Sequence, residues 1–292
     1  MDQLLQELKP RGSFLFPFEL YHTVDPIGTY FVSCHWHPDL EILHMQKGEI
    51  QLFINGESYL IGKDTIVFIN REELHHLHSV VPDVLYDASV FPLEFLSFDA
   101  MDYCQQKYLL PLIQKRLTFP RFIRRNHPCY QPIAGQLLEL SRLHQTFPPG
   151  YQIATKAALF QILSCLIQHD ALIAEADSDT ALNEKKLETL RQIITYLEEH
   201  MGEKLSLEDV AAHFYMSPNY FCKYFKKHFG CTFTGYVNGL RLETACRLLS
   251  DSALPVMEIS LQCGFDNLSY FNRLFRQKKG VTPSEYRRQL SR

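Results

Sequence analysis

Tyr220-Phe221-Cys222-Lys223-Tyr224-Phe225-Lys226 is repeated fifty residues later as Tyr270-Phe271-Asn272-Arg273-Leu274-Phe275-Arg276. Each copy places two Phe four residues apart, a spacing that puts both rings on one face of an α-helix. The cations two and five positions after the first Phe lie on the other side of that helix. The sequence therefore predicts a duplicated helix with one packing face and one basic face, and the basic face suits an anionic partner.

Each copy is preceded by signals for another short helix. Before the first copy, Ser206 can cap a helix N-terminus, and Ser217-Pro218 can start the next helix because Pro at the first helical position loses no hydrogen bond. Before the second copy, Gly264 permits a positive-φ turn, and Asp266 or Asn267 can cap the helix that follows. Two short helices joined by a tight turn, the second one exposed and basic, are typical of a helix-turn-helix unit.

The second copy and its surroundings resemble the signature of AraC-type transcription regulators. The matching positions are Ile259-Ser260-x3-Gly264-Phe265-x3-Ser269-Tyr270-Phe271-x-Arg273-x-Phe275-Arg276-x3-Gly280-x-Thr282-Pro283-x2-Tyr286-Arg287. The resemblance covers roughly the last hundred residues and implies two helix-turn-helix units joined by a long helix, for which residues 233–250 fit. Two positions depart from the family pattern. Ser260 stands where Ala is usual, and Tyr215 takes the first-turn position that matches Gly264, where a positive φ would cost on the order of 1 kcal/mol.

The exposed residues of the two repeated helices form the predicted DNA-binding surface. The resemblance implies that base edges are approached by Asn219, Cys222 and Lys223 in one unit and by Leu268, Ser269, Asn272 and Arg273 in the other. Arginine can form a bidentate pair with guanine, and asparagine can do so with adenine. The remaining cations, Lys226, Lys227 and Arg276, are predicted to hold phosphate, which adds affinity without reading sequence.

Composition and charge agree with this interpretation. The chain has 292 residues, 46% of them hydrophobic, which is enough for two domains with cores. From Asn183 onward there are 16 Lys and Arg against 12 Asp and Glu, whereas the residues before it have 13 against 21. The basic half is therefore predicted to be the nucleic-acid half.

The sequence also predicts the compartment of the protein. It has eight cysteines without a C-x-x-C pair, and it lacks a signal-peptide pattern and a sufficiently apolar span. These features predict a reduced, cytoplasmic protein without a membrane segment.

The first hundred residues predict β-structure. Short segments rich in β-branched and aromatic residues lie between turn signals at 27–34, 40–45, 49–54, 58–61, 65–69 and 84–91. Asn55-Gly56 favours a two-residue hairpin turn. Many short strands without intervening helices indicate an antiparallel β-barrel of cupin or jelly-roll type. The predicted fold class is therefore α+β: this barrel, followed by helices and by an all-α C-terminal domain with two helix-turn-helix units.

One segment of the predicted barrel, His35-x-His37-x3-Glu41-x6-Gly48, resembles the first sequence motif of cupins. On a strand His35 and His37 face the same way, and with Glu41 and a histidine of a neighbouring strand they could bind a divalent metal. The second cupin motif matches poorly, because the nearest histidines, His75 and His76, are out of its register. The sequence therefore favours a packing or effector-pocket role for His35, His37, Glu41 and His75 over a metal site, and no cofactor is predicted.

The middle of the chain predicts helices at 134–145 and 152–174, separated by Phe147-Pro148-Pro149-Gly150. The apolar face of the second helix could cover the barrel or pair with a second copy of the chain, and the resemblance favours a homodimer. Residues 175–181 are small and acidic, as in an interdomain linker. The predicted domains are a ligand-sensing barrel (1–105), a helical dimerisation and linker region (106–182) and a DNA-binding domain (183–292).

The resemblance implies a transcription regulator and not an enzyme. In this hypothesis a small molecule in the barrel changes how the DNA-binding units are presented, and a sugar is one candidate because many relatives sense sugars. The implied partners are double-stranded DNA, the effector, a second copy of the chain and RNA polymerase. Two alternatives stay open: a metal-dependent cupin enzyme or metal sensor fused to a DNA-binding domain, and a regulator whose barrel only dimerises.

Overall fold

The computed structural model describes residue 7 and residues 11–174 and 180–290. Its strands are β1 (Glu19–Asp25), β2 (Phe31–His35), β3 (Leu40–Lys47), β4 (Glu49–Ile54), β5 (Glu57–Gly62), β6 (Thr65–Ile69), β7 (His75–Ser79), β8 (Val84–Phe91), β9 (Leu117–Thr118), β10 (Phe122–Arg124) and β11 (Ile173–Ala174). Its α-helices are α1 (Leu110–Ile113), α2 (Tyr130–Thr146), α3 (Tyr151–Gln168), α4 (Thr180–His200), α5 (Leu207–His213), α6 (Pro218–Phe229), α7 (Phe233–Asp251), α8 (Val256–Gln262), α9 (Leu268–Lys279) and α10 (Pro283–Leu290).

Two antiparallel sheets form the N-terminal part. One has the strand order β1-β8-β3-β6-β10, and the other, which we call the sensor sheet, has the order β2-β7-β4-β5. Apolar side chains such as Leu43, Ile50 and Leu77 form one hydrophobic cluster contributed by both sheets. The predicted antiparallel, jelly-roll-like architecture is confirmed. The predicted barrel is not closed, because each sheet keeps its own edge strands.

Local turn chemistry accounts for one hairpin of the sensor sheet. Asn55 has φ 52° and Gly56 has φ 76°, and β4 pairs with β5 on either side of them, as predicted. Strand β7 is different, because His75-His76-Leu77-His78-Ser79 lacks the sequence signals of a strand and was not predicted. It forms because it pairs with β2 on one side and with β4 on the other.

Helices α2 and α3 cover the outer face of the larger sheet. Ile42 and Phe68 from this sheet share a hydrophobic cluster with Ile133 of α2 and with Leu159 and Leu166 of α3. The apolar face of α3 therefore covers the larger sheet, which is the first of the two arrangements that the sequence left open for it. The predicted helix to residue 174 is too long: α3 ends at Gln168, and β11 pairs with β9.

The C-terminal domain contains the two predicted helix-turn-helix units: α5 and α6 form the first unit, and α8 and α9 form the second. Ser206 accepts a hydrogen bond from the backbone N–H of Asp209 (3.1 Å), and Ser217 accepts one from that of Tyr220 (3.3 Å). Asn267 caps α9 by accepting from the N–H of Tyr270 at 2.9 Å. The N-terminal signals read from the sequence therefore start these helices.

Both inter-helix turns pass through the left-handed backbone region. Tyr215 has φ 55° and the matching Gly264 has φ 80°. Glycine adopts this conformation without steric penalty, whereas tyrosine adopts it only at a steric cost. The predicted departure at Tyr215 is thus confirmed as a strained turn with a 99% exposed side chain.

The predicted linker, residues 175–181, falls mainly on residues 175–179, which lie outside the described residues, and α4 begins at Thr180. Within the described ranges, we find no helix with the length and apolar character needed to cross a membrane.

Candidate DNA-binding surface and effector site

The repeated helices, α6 and α9, expose the residues predicted to contact DNA. Their aromatic face is buried: Phe221, Phe225, Phe271 and Phe275 are each 0% exposed. The opposite face is open to solvent at all predicted positions except Asn272, which is half-buried; the exposed residues are Asn219, Cys222, Lys223, Lys226, Lys227, Leu268, Ser269, Arg273 and Arg276. The amphipathic pattern of the sequence therefore separates packing residues from solvent-exposed residues in both units.

The side chain of Arg273 lies over Tyr270, a residue of the first turn of α9. Its guanidinium carbon lies 5.5 Å from the ring centre of Tyr270, and the Tyr270 hydroxyl accepts a hydrogen bond from the side chain of Asn238 at 3.0 Å. An arginine stacked on an anchored ring loses less conformational entropy when it pairs with a base. The long helix α7 thus supports the position of Arg273 in the second unit, a contribution that the repeated phrase does not reveal.

The four predicted effector residues lie together at one end of the sensor sheet; we call His35, His37, Glu41 and His75 the histidine cluster. Glu41 Oε2 lies 3.1 Å from His37 Nε2 and 3.3 Å from His75 Nε2. The ring centres of His35 and His75 are 4.3 Å apart. In the sequence, His75 is out of register with the histidine position of the second cupin motif. In the structure, the pairing of β2 with β7 places His75 directly opposite His35.

The ring orientations in the cluster are fixed by the backbone. Nδ1 of His35 donates to the carbonyl of Ser33 (2.9 Å), and Nδ1 of His75 donates to that of Glu73 (2.8 Å). Nδ1 of His37 lies 3.2 Å from the carbonyl of Asp39. With each Nδ1 at a backbone carbonyl, Nε2 of His37 and of His75 point to Glu41, whereas Nε2 of His35 lies 3.6 Å from Oε2 of Glu7.

Electrostatics in the cluster are dominated by burial and by Glu41. Burial raises the pKa of Glu41, but His37 and His75 outweigh this and hold it well below its usual range. Burial lowers the pKa of His75, but the Glu41 carboxylate outweighs this and raises it. Burial, reinforced by His75, lowers the pKa of His35 to about 3. The cluster therefore keeps an ionised carboxylate among imidazoles in a nearly dry site.

A cavity of about 150 Å³ opens beside the cluster. Its walls include His35, Glu41 and His75, together with Tyr30 and Tyr86. The two tyrosine rings meet edge to face with their centres 6.3 Å apart. A pocket of this kind, with apolar walls and a few converging polar groups, is the usual form of a small-ligand site.

The other face of the sensor sheet carries the DNA-binding domain. Tyr236 of α7 is 0% exposed, and its hydroxyl accepts a hydrogen bond from the backbone N–H of Cys34 at 3.0 Å. The carboxylate of Glu243 accepts from the N–H of Ser33 at 3.2 Å. Nδ1 of His228, at the end of α6, lies 2.9 Å from the carbonyl of Gly56. These interdomain residues were missed in the sequence, because periodicity shows that a residue is buried but not against which domain.

Two carboxyl groups near this interface give a pH-dependent stability. Burial, aided by repulsion from Glu243, raises the pKa of Glu198 from 4.5 to about 8. Burial raises the pKa of Glu243 to about 6. Both pKa values are higher in the folded state, so the folded protein binds more protons between pH 4.5 and 8, and stability falls as pH rises through that window. We expect Glu198→Gln to remove the part of the fall that lies between pH 6 and 8.

Urea unfolding of the full chain at several pH values measures this effect. The exposed neighbour Glu199 provides the matched control, because Glu199→Gln makes the same chemical change on the same helix. A Glu198→Gln protein with the same pH slope as the native chain between pH 6 and 8 would contradict the prediction.

Comparisons with known proteins agree with both halves of the structure. Residues 19–190 match the model of the AraC-like ligand binding domain, and residues 210–289 match a helix-turn-helix domain. The HTH-type transcriptional regulator YdeC of Bacillus subtilis (strain 168) is 26% identical over 294 residues, covering 100% of this chain and 98% of the relative. The HTH-type transcriptional activator RhaS of Klebsiella pneumoniae (strain 342) is 27% identical over 258 residues, covering 87% and 86%. The DNA-binding domain of AdpA, solved in complex with a target DNA, is 30% identical, with 35% of this chain and 91% of that chain covered and a TM-score of 0.34.

Paired helix-turn-helix units behind a two-sheet ligand-binding domain define a DNA-binding transcription regulator. The chain belongs to the AraC family of these regulators. Its relatives are regulators and not enzymes, so the enzyme alternative has no support.

Proposed function

We propose that this regulator reads an asymmetric DNA half-site with α6 and α9, and that an effector bound at the histidine cluster controls how these helices are presented. One observation carries the proposal. The sensor sheet holds the cluster on its inner face and the DNA-binding domain on its outer face. An effector therefore needs to disturb only one layer of backbone to affect the DNA-binding domain.

Two neighbouring residues of β7 connect the cluster to the DNA-binding domain. His75 belongs to the cluster, whereas His76 points the other way, because successive side chains of a strand alternate between faces. Nε2 of His76 lies 3.3 Å from the carbonyl of Phe229, and its ring stacks on Phe53 with centres 4.4 Å apart. A shift of His75 on ligand binding would move His76 against the end of α6.

Strand β2 repeats the arrangement. His35 faces the cluster, while the preceding Cys34 and Ser33 donate backbone hydrogen bonds to Tyr236 and Glu243 of α7. Two strands thus contact both the effector site and the DNA-binding domain. This supports a regulator that responds to a ligand over one whose sensor domain only dimerises.

Base reading is proposed for Asn219, Cys222 and Lys223 in the first unit and for Leu268, Ser269, Asn272 and Arg273 in the second, with phosphate contacts from Lys226, Lys227 and Arg276. The two sets differ in composition, so one chain reads two different short sequences in successive major grooves, about one helical turn apart. A homodimer would then supply any symmetry of the operator. RhaS is named as an activator, and contact with RNA polymerase is the corresponding proposal for this chain.

Arg273→Ala is expected to weaken binding to the selected operator by about 1–3 kcal/mol and to relax preference at one base pair, because a bidentate pair with guanine is lost. Fluorescence anisotropy on the operator and on its single-base variants measures both effects. Arg276→Ala is the matched control on the same helix: it should weaken all sequences alike and lower the salt dependence by about one ion. An equal loss on all sequences for Arg273→Ala would refute base reading by this residue.

Effector control is tested by selecting genomic fragments bound by the full chain, with and without candidate ligands in the binding buffer. A ligand that changes which fragments are retained, and whose effect is lost in Glu41→Gln, supports control through the cluster. A ligand response that persists unchanged in Glu41→Gln places the effector elsewhere.

A further inference from the structure

We propose that the chain has a second ligand site, separate from the histidine cluster, which binds a small organic monocarboxylate at Arg191 of α4. The site is a cavity of about 380 Å³ between the sensor domain and the first helix of the DNA-binding domain, and we call it the α4 cavity. Its wall includes Asn70, Arg71, Leu112 and Phe119 from the sensor domain and Leu187 and Arg191 from α4. In the described part of the chain it shares no lining residue with the cavity beside the histidine cluster, so binding there does not rest on the proposed function.

The first argument is the charge balance of the wall. Apart from Arg191, its charged side chains are in ion pairs, either with one another or with a residue just outside the wall. These pairs are Arg71 with Glu94 at 3.1 Å, Lys115 with Glu72 at 2.5 Å, and Arg121 with Glu73. Because the charges of each pair cancel, the wall keeps the single positive charge of Arg191.

The second argument is the lack of a partner for that charge. Arg191 is half-buried, and its Nε is buried without a hydrogen-bond partner among the described residues. Within the same residues, its guanidinium forms no ion pair. A buried donor without an acceptor is costly and uncommon, and a guanidinium cannot escape the cost by losing its charge. A ligand with an anionic oxygen would supply the missing acceptor.

The third argument is the match between one guanidinium and one carboxylate. The planar fork of N–H groups on arginine pairs with both oxygens of a carboxylate at once. A phosphate monoester carries close to two negative charges at pH 7. Its second charge would be buried without a partner, because the other cations of the wall are already paired. The wall therefore favours a ligand with one negative charge.

The rest of the wall limits the body of the ligand. Leu93 and Leu112 are each 3% exposed and Phe119 is 5% exposed, so they offer a fixed apolar surface. Asn70 is held in place by the backbone of Phe119, since its Oδ1 accepts at 2.9 Å and its Nδ2 donates at 3.1 Å. The volume is near the lower end of the range of about 300–1,000 Å³ for small-molecule sites. A compact body that packs on the apolar side chains fits this space.

The α4 cavity adjoins the packing between the two domains. Leu190, the neighbour of Arg191, is 1% exposed and lies in one hydrophobic cluster with Phe225 of α6 and Leu74 of the sensor domain. Asn55 of the cavity wall accepts a hydrogen bond from the N–H of Leu74 at 3.0 Å. A carboxylate paired with Arg191 and packed on the sensor domain would therefore bridge the domains and stabilise their contact.

The test measures the thermal midpoint of the full chain with lactate, butyrate, benzoate and gluconate. Each acid is compared with its neutral amide at the same millimolar concentration and constant ionic strength. We expect at least one acid to raise the midpoint to saturation while its amide does not, because a ligand that binds only the folded state stabilises it. Calorimetric titration of that acid should give one equivalent per chain.

Arg191→Gln should abolish the rise in midpoint. Without ligand this variant should be at least as stable as the native chain, because the substitution removes a buried charge that has no partner. Arg191→Lys keeps the charge but not the fork, so we expect it to bind the acid more weakly than the native chain. The matched control is Lys185→Gln, which removes a positive charge from an exposed position of the same helix and should respond like the native chain.

The inference is overturned if no acid exceeds its amide in the native chain, or if folded Arg191→Gln responds as the native chain does. It is also overturned if Lys185→Gln loses the response, since the effect would then reflect net charge. Inorganic phosphate that saturates the native chain, but not Arg191→Gln, would refute the choice of a monocarboxylate.

Glu41→Gln separates this site from the histidine cluster. A response at the α4 cavity should persist in Glu41→Gln, and control through the cluster should persist in Arg191→Gln. An acid whose effect is lost in Glu41→Gln and kept in Arg191→Gln binds at the cluster, which contradicts the α4 site and leaves the proposed function standing.

Discussion

Phe225→Ala is expected to lower the free energy of unfolding by about 3–5 kcal/mol, the usual cost of truncating a fully buried phenylalanine. Phe225 is 0% exposed and lies at the centre of an aromatic group: its ring centre is 4.4 Å from that of Phe229, 5.5 Å from Tyr236 and 5.6 Å from Phe221. The cavity would open where the first unit meets the sensor sheet. Stability and interdomain contact should therefore be lost together.

The interdomain contact should be lost because the hydrophobic cluster around Phe225 contains residues of both domains. It contains α6 and α7 residues, but also Cys34, Trp36 and Leu74 from the sensor domain. Hydrogen exchange followed by mass spectrometry should show faster exchange in β2 and β7 of Phe225→Ala as well as in α5 and α6. Urea unfolding gives the stability change.

The repeat supplies the matched control. Phe275 is the equivalent residue of the second unit, is also 0% exposed, and packs against Phe271 and Tyr286 in a cluster formed by the C-terminal helices α7–α10 and the turn between α8 and α9. Phe275→Ala should destabilise the second unit by a similar amount and leave exchange in β2 and β7 unchanged. Identical exchange maps for the two variants would show that the first unit is not coupled to the sensor sheet.

Gly230→Ala is the second substitution with a large expected effect. Gly230 ends α6 with φ 65°, and a Cβ built there would lie 2.1 Å from Cζ of Phe53. Phe53 is 2% exposed, and its ring is stacked nearly parallel on His76. The ring has little room to move, so the methyl group should push the first unit away from the sensor sheet.

The matched control is Gly280→Ala at the end of α9. Gly280 has φ 76°, so alanine meets a similar backbone penalty, but the nearest atom to its Cβ would be Ile27 Cδ1 at 3.6 Å, an ordinary contact. We expect Gly230→Ala to be destabilising by about 1–3 kcal/mol more than Gly280→Ala, the usual cost of overpacking. Urea unfolding measures the difference, and equal losses in the two variants would show that Phe53 yields to the added methyl group.

Gly230→Ala also bears on regulation. The substitution acts at the contact between the sensor sheet and α6, and both the effector cluster and the DNA-facing side chains remain intact. We therefore expect the variant to bind the operator with a weakened dependence on the ligand. Operator titrations with and without a ligand found in the fragment selection, compared between Gly230→Ala and Gly280→Ala, measure this dependence.

Much of the DNA-binding domain follows from the sequence, because its signals are local. The Phe spacing defines the buried face of α6 and α9, and Ser206, Ser217 and Asn267 start helices through hydrogen bonds to residues three positions away. Gly264 has the positive φ that its turn needs. Each of these features depends on neighbours within one or two helical turns, which is the range that periodicity and capping patterns describe.

The sequence by itself thus determined that the chain carries two helix-turn-helix units and a β-rich domain with a histidine-rich segment. The sequence also offered His75, but only the tertiary structure decided that His75, and not its neighbour His76, faces His35, because this depends on which residues of β2 and β7 pair across forty residues of chain. The tertiary structure also decided that the two copies of the repeated phrase differ in their surroundings. Phe225 and Phe275 have the same local pattern, but only the first is packed in a cluster with sensor-domain residues, since long-range packing selects the partner of a buried face and periodicity does not.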